Sequence, residues 1–182
     1  MKTDYLQILP ECYVDTNLVQ VIMQIKGVNH QNSCGQVTNV LQQQFKDRFA
    51  VGIIDNDKRQ SDYSKESIVI ARSKELTLCK HKDSHHYLVK INNIMERFII
   101  NCAKEQGVDL NQYDIPSDLE GLKKITKTKD SLNNPKLQIA FKAISHSNEM
   151  VLLKEVLEYL NSNRYDSKEA EIKTIFANHG YH

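Results

Sequence analysis

The stretch Phe49-Ala50-Val51-Gly52-Ile53-Ile54 carries neither a charge nor an apolar–polar alternation, and it ends in Asp55-Asn56-Asp57. A strand with one wet face alternates. A run that is apolar throughout reads as buried on both faces, the habit of a central strand covered by helices. The rest of the chain must then supply helices for both faces and crossovers between parallel neighbours. Ligands in open α/β sheets bind beyond the carboxyl ends of the strands, so Asp55 and Asp57 fall where such a fold places its chemistry.

The remaining pattern supplies those parts. Residues 5–9 read as a first strand stopped by Pro10. Asp15, Thr16 or Asn17 then caps a helix with Leu18, Val21, Ile22 and Ile25 at helical spacing, ended by Gly27. "GVNHQNSCG" reads as a polar loop with room for a very short strand. Ser33 or Asn32 caps a second helix that presents Val37, Val40, Leu41 and Phe45 on one face. The order β-α-(β)-α-β predicts an α/β fold, a mainly parallel sheet flanked by helices.

"LTLCKHK" and "YLVKI" read as two more strands, joined by a polar turn rich in histidine (His81, His85, His86). A helix from about Asn92 turns Ile94, Met95, Phe98, Ile99 and Cys102 inward and ends near Gly107. After a polar connection with a short helical segment, three apolar stripes at helical spacing follow: Leu137 to Ile144, Val151 to Leu160 and Ile172 to Phe176. The last helix is predicted to begin at Asp166, which has capping-box spacing to Glu169. Residues 1–107 are thus expected to form an α/β domain, and 108–182 an all-helical C-terminal extension packed on it.

With 40% apolar and 26% charged residues the chain has enough for a core and is no disordered polymer. A net charge of +1 gives no global basic excess. Local excesses exist: seven Lys/Arg against three Asp/Glu between residues 58 and 82, and Lys123, Lys124, Lys127 and Lys129 in "LKKITKTK". Either could guide a polyanion. The uncharged runs are far short of a membrane span, and Met-Lys-Thr-Asp-Tyr does not read as a signal peptide, so a cytoplasmic protein without membrane contact is expected. Cys12, Cys34, Cys79 and Cys102 are widely spaced and read as core thiols.

Glu11 lies just past the first strand, Asp15 one helical turn further, and Asp55 and Asp57 just past the central strand. If the two strands are parallel neighbours about 5 Å apart, these carboxylates open on one edge. Converging carboxylates bind hard cations such as Mg2+ or Mn2+, and such a metal can polarise a phosphate and acidify a water. Lys58 and Arg59, next to Asp57, would hold phosphate.

The pattern Glu11-Cys-Tyr-Val-Asp15 followed some forty residues on by Asp55-x-Asp57 resembles the Toprim domain. That family carries a Glu after its first strand and an Asp-x-Asp after its third. It occurs in topoisomerases, primases, nucleases of the overcoming-lysogenization-defect type and small Toprim-like nucleases of bacterial antiphage defence. A further Glu heading a helix after the Asp-x-Asp has its counterpart in Glu96 of "NNIMERFII". The resemblance covers about residues 4–100. It implies a Mg2+- or Mn2+-dependent nuclease, with Glu11, Asp55 and Asp57 catalytic and Glu11, Asp15, Asp55, Asp57 and Glu96 around the metal. It further implies nucleic acid (DNA or RNA) as substrate, an ATPase partner subunit and a homo-oligomer. The glycine usual after the first Glu is Cys12 here, and no glycine closely follows Asp57. Both departures point away from topoisomerase and primase activity and toward nuclease activity. Two alternatives stand beside this reading. One is a non-catalytic Toprim-like interaction module. The other is a PIN-like ribonuclease in which "YVDTNL" makes Asp15 the first ligand and residues 12–14 the first strand.

Overall fold

A computed structural model of the chain describes residues 5–56 and 61–181. Asp57, Lys58 and Arg59 lie outside the described residues. Five strands form one sheet: β1 (Ile8–Pro10), β2 (Ala50–Asn56), β3 (Ser67–Arg72), β4 (Leu76–His81) and β5 (His86–Asn92), in the order β1-β2-β5-β4-β3. β1 pairs with β2 and β2 with β5 in parallel; β4 pairs antiparallel with both β5 and β3. The sheet is therefore mixed, not mainly parallel. The cause is local: residues 73–75 and 82–85 are connections too short for a crossover, so they can only turn the chain back on itself.

β2 lies between β1 and β5 and is buried from Ala50 to Ile54, as its uninterrupted apolar run requires. On one face α2 (Cys34–Val40), which runs on into a π-helical turn over Leu41–Phe45, sets Val37 and Leu41 against Leu9, Ala50, Ile54 and Leu88. Gly52 allows that approach: a Cβ there would sit 2.7 Å from Val37 Cγ1 and 2.8 Å from Leu88 Cδ2. The other face carries Ile8, Val51, Ile53, Val89 and Ile91. It is covered by α1 (Tyr13–Met23) and α4 (Met95–Glu105).

The chain beyond residue 107 forms only helices among the described residues. α5 (Leu119–Thr126), α6 (Pro135–Ala143), α7 (Asn148–Asn163) and α8 (Glu169–Asn178) join short 3-10 turns. Their apolar stripes, including Leu122, Phe141, Leu153, Leu157, Ile172 and Phe176, belong to the same continuous core as α1 and α4. Fully burying each such side chain is worth roughly 1.5–3 kcal/mol, which is why these stripes do not stay wet. Asn17 Nδ2 donates to the Ser131 carbonyl at 2.7 Å and locks the turn at Lys129–Asn133 onto α1. No helix among the described residues is long and apolar enough to cross a membrane.

Several boundaries differ from expectation. α1 starts at Tyr13 with Cys12 as its N-cap, one turn earlier than a cap at 15–17 would give. Asp15 sits instead at the third helical position, where its Oδ2 reaches back to accept from Cys12 N at 3.2 Å. Tyr13 and Val14 are thus helical, and the strand that the PIN-like alternative needs at residues 12–14 does not form. α8 begins at Glu169 behind Lys168, Asp166 being spent in a 3-10 turn. A short helix, α3 (Asp62–Lys65), and the edge strand β3 carried no clear sequence signal. His81 and His86 are buried strand residues, with Tyr63 stacked on His81 at 4.1 Å between ring centroids and its hydroxyl bonded to His86 Nδ1. Burial and the neighbouring His81 hold the His86 imidazole down at about 4.

Candidate functional site

β1 stops at Pro10, opposite Ile53, while β2 continues to Asn56. Past that point Asp55 N has no β1 backbone to donate to, and Glu11 Oε2 takes the place of the missing ladder bond at 2.9 Å. Asp55 Oδ1 in turn accepts from Met95 N at 3.0 Å. Ile94 caps α4 with no side-chain bond of its own, so Asp55 satisfies an orphan donor of that helix from another strand. Glu96, one residue further on α4 and only 7% exposed, accepts from Thr126 Oγ1 of α5 at 2.6 Å. Asp15 lies beneath, 1% exposed, with Oδ1 buried and without a hydrogen-bond partner among the described residues.

These four carboxylates feel one another. Burial, then the charges of Asp15, Glu11 and Glu96, push Asp55 from 3.8 up to about 9, against the pull of the Met95 N–H. Burial lifts Asp15 to about 7; hydrogen bonds from Cys12 oppose this, and the charges of Glu11 and Glu96 add to it. Burial and the charge of Asp15 also raise the Cys12 thiol far above its usual range, which disfavours the thiolate. Its backbone is extended (φ −139°, ψ 178°), and the position needs no glycine.

Glu11, Asp55 and Glu96 open into a cavity of about 430 Å3. Lys123 of α5 and Lys127, the residue that caps its C-terminus, also line it, together with Tyr13, His30 and Asn32. Lys123 Nζ pairs with Glu120 at 3.0 Å. His30 gets there because its loop runs beside β1: Asn29 N donates to the Ile8 carbonyl at 2.9 Å and Gln31 N to that of Pro10 at 3.0 Å. Elsewhere a groove of about 790 Å3 between residues 114 and 136 is larger, but its charges are surface ones, such as Lys136 paired with Asp114 at 3.0 Å.

Of the residues singled out from sequence, Glu11, Asp55 and Glu96 share this cavity, and Asp15 lies below it. Asp57, Lys58 and Arg59 fall outside the described residues. Sequence reasoning missed Tyr13, His30, Asn32 and Thr126. It read Lys123 and Lys127 as part of a basic run able to guide nucleic acid into the acidic site, and both line the cavity. Hard carboxylate oxygens suit Mg2+ or Mn2+. Among the described residues, however, no group of three or more His, Cys, Asp or Glu is placed to hold a metal ion. No family model, curated protein or solved structure matches the chain.

Proposed function

We propose that the chain is a divalent-metal-dependent nuclease that cleaves phosphodiester bonds at the C-terminal edge of β1 and β2. The observation that carries this reading is the crowding of Glu11, Asp15, Asp55 and Glu96, severe enough to push Asp55 up to about 9 beside an open cavity. Nature tolerates such repulsion where it serves a site, and a bound cation is the usual relief. Glu11 and Asp55 would hold the ion together with Asp57, while Asp15 and Glu96 supply charge from below and beside. When bound, Mg2+ or Mn2+ polarises the phosphoryl oxygens and acidifies a water.

The protein's own residues do the rest. Lys123 and Lys127 line the same cavity as the carboxylates and can neutralise the phosphates of a strand lying in it. These lysines would act beside Lys58 and Arg59, to which the sequence assigned phosphate binding. The acidic positions of the Toprim resemblance agree with this reading; an ATPase partner and a role in antiphage defence rest on the resemblance alone.

The direct test is incubation of plasmid, single-stranded DNA and total RNA with the protein in Mn2+, Mg2+ or EDTA, wild type against Asp55→Ala. Cleavage that EDTA and the substitution both abolish is the expected result. No cleavage of any substrate, together with no metal binding by calorimetry, overturns the reading. One observation favours a second, non-catalytic reading: Asp55 and Glu96 both accept hydrogen bonds that hold α4 and α5. Under it they are structural groups that hold helix ends, and divalent ions leave the melting temperature unchanged.

A further inference from the structure

His30 stands on the wall of the acidic cavity, and its ring is held from three sides. Tyr13 stacks on it with centroids 4.3 Å apart and planes 19° from parallel. Thr16 Oγ1 lies 2.9 Å from Nδ1, and Asn32 Oδ1 lies 3.3 Å from Nε2. The Thr16 hydroxyl has one proton, and it is committed: Oγ1 donates to the Cys12 carbonyl at 2.8 Å. With that proton on the Cys12 carbonyl, the oxygen accepts from His30, an arrangement that places the hydrogen on Nδ1. With Nδ1 fixed as N–H, the ring exchanges its proton at Nε2. Asn32 suits both states. Its Oδ1 accepts from the Nε2–H of an imidazolium, and the amide turned over offers Nδ2–H to a neutral ring. Asn32 is exposed and the contact is long, so a water or a substrate oxygen can replace it.

We propose that His30 Nε2 is the proton-transfer group of this site and that Thr16 is the positioning residue that fixes its tautomer. The inference rests on the nuclease reading above. As a water attacks phosphorus, its O–H bond breaks and the proton passes to Nε2. The new O–P bond forms while the bond from phosphorus to the leaving oxygen breaks, and that oxygen takes a proton from solvent. His30 then returns its own proton to solvent. The carboxylates of the site are less suited to this step: Glu11 and Asp55 already accept backbone N–H groups and would be the groups that hold the ion. A base aimed by a third group, itself locked to the backbone, is the general arrangement of activated nucleophiles.

Long-range 15N–1H NMR of the protein labelled at histidine reports which ring nitrogen bears hydrogen, whether or not the protein cuts anything. The expected neutral form in the wild type is Nδ1–H. Thr16→Val should convert it to Nε2–H, and Thr16→Ser should restore it. In a cleavage assay with Mn2+, His30→Gln should lose about 100-fold or more in kcat, with metal binding by calorimetry unchanged. Thr16→Val should lose part of that, and Thr16→Ser should recover it. An Nε2–H ring in the wild type overturns the proposal. So does a His30→Gln protein that cuts at the wild-type rate, which leaves the nuclease reading standing. An inactive wild type overturns the nuclease reading and the role of His30 together.

Discussion

Replacing Asp55 by asparagine should make the metal-free protein more stable at alkaline pH, although it alters a residue that the fold uses. The ordinary pKa of 3.8 becomes about 9 in the folded chain, so between those values the folded state holds a proton that the unfolded state has lost. Stability therefore falls as pH rises through that window. From 3.8 to pH 7 is about 3 units at about 1.4 kcal/mol each, an upper bound of about 4 kcal/mol. Asp15 shares the repulsion and can take up a proton near 7, so about half of that bound, ~2 kcal/mol, is the expected gain at pH 7, and more at pH 8. The asparagine side chain keeps an oxygen for Met95 N, and the cap on α4 survives. For a chain of this size ~2 kcal/mol is about 4–8 °C in Tm. Thermal unfolding in EDTA should show the variant higher than wild type at pH 8 and level with it near pH 4. Mn2+ should then raise the wild-type Tm at pH 8 and leave the variant nearly unmoved. A variant less stable than wild type at pH 8 would refute the repulsion argument, because the hydrogen bonds would then outweigh the charges.

Three further outcomes follow from single contacts. Gly52→Ala drives a methyl to within 2.8 Å of both Val37 and Leu88; urea unfolding should report a loss of about 1–3 kcal/mol from overpacking. Thr126→Val strips Glu96 of a 2.6 Å bond in a buried setting, and should cost about 1–3 kcal/mol in the same assay, whereas Thr126→Ser should cost far less. Lys127→Ala should weaken binding of single-stranded oligonucleotides in EDTA-treated protein and reduce the slope of log K against log salt by about 1; an unchanged slope would remove Lys127 from the phosphate path.

How much of this was written in the sequence depends on the kind of force that fixes each part. β2 was legible because burial on two faces leaves an unmistakable run, and Glu11 and Asp55 were legible because each ends a strand of the same edge. Strand direction was legible in principle: a turn of residues 82–85 cannot host a crossover, so β4 and β5 had to be antiparallel. β3 was hidden because Ile68 and Val69 stay exposed at 63% and 40% among charged neighbours, so no alternation marks the strand. His30 was hidden for a deeper reason. Its position comes from backbone bonds between residues 29 and 31 and β1, which any side chains could make. The basic run at residues 123–129 was visible, but its destination is set by α5 packing on α4, a long-range fact with no local signature.

The same contacts make the site one mechanical unit. Glu11 holds the backbone of Asp55, Asp55 caps α4, and Glu96 of α4 holds Thr126 of α5. Lys123 of α5 and Lys127 at its C-terminal cap line the same cavity as Glu11 and Asp55. A change of charge at Asp55 therefore acts twice. It alters the field in the cavity, and it alters the strength of the cap, because an ionised carboxylate at a helix N-terminus binds its N–H more strongly than a neutral one. A proton on Asp55 loosens the start of α4; a cation that lets Asp55 ionise tightens it. Tightening α4 also steadies Glu96, and through Thr126 it steadies the helix that carries the two lysines. The acidic edge and the lysines at the end of α5 are thus joined by one network of contacts; under the nuclease reading, loading the edge would ready those lysines for phosphate.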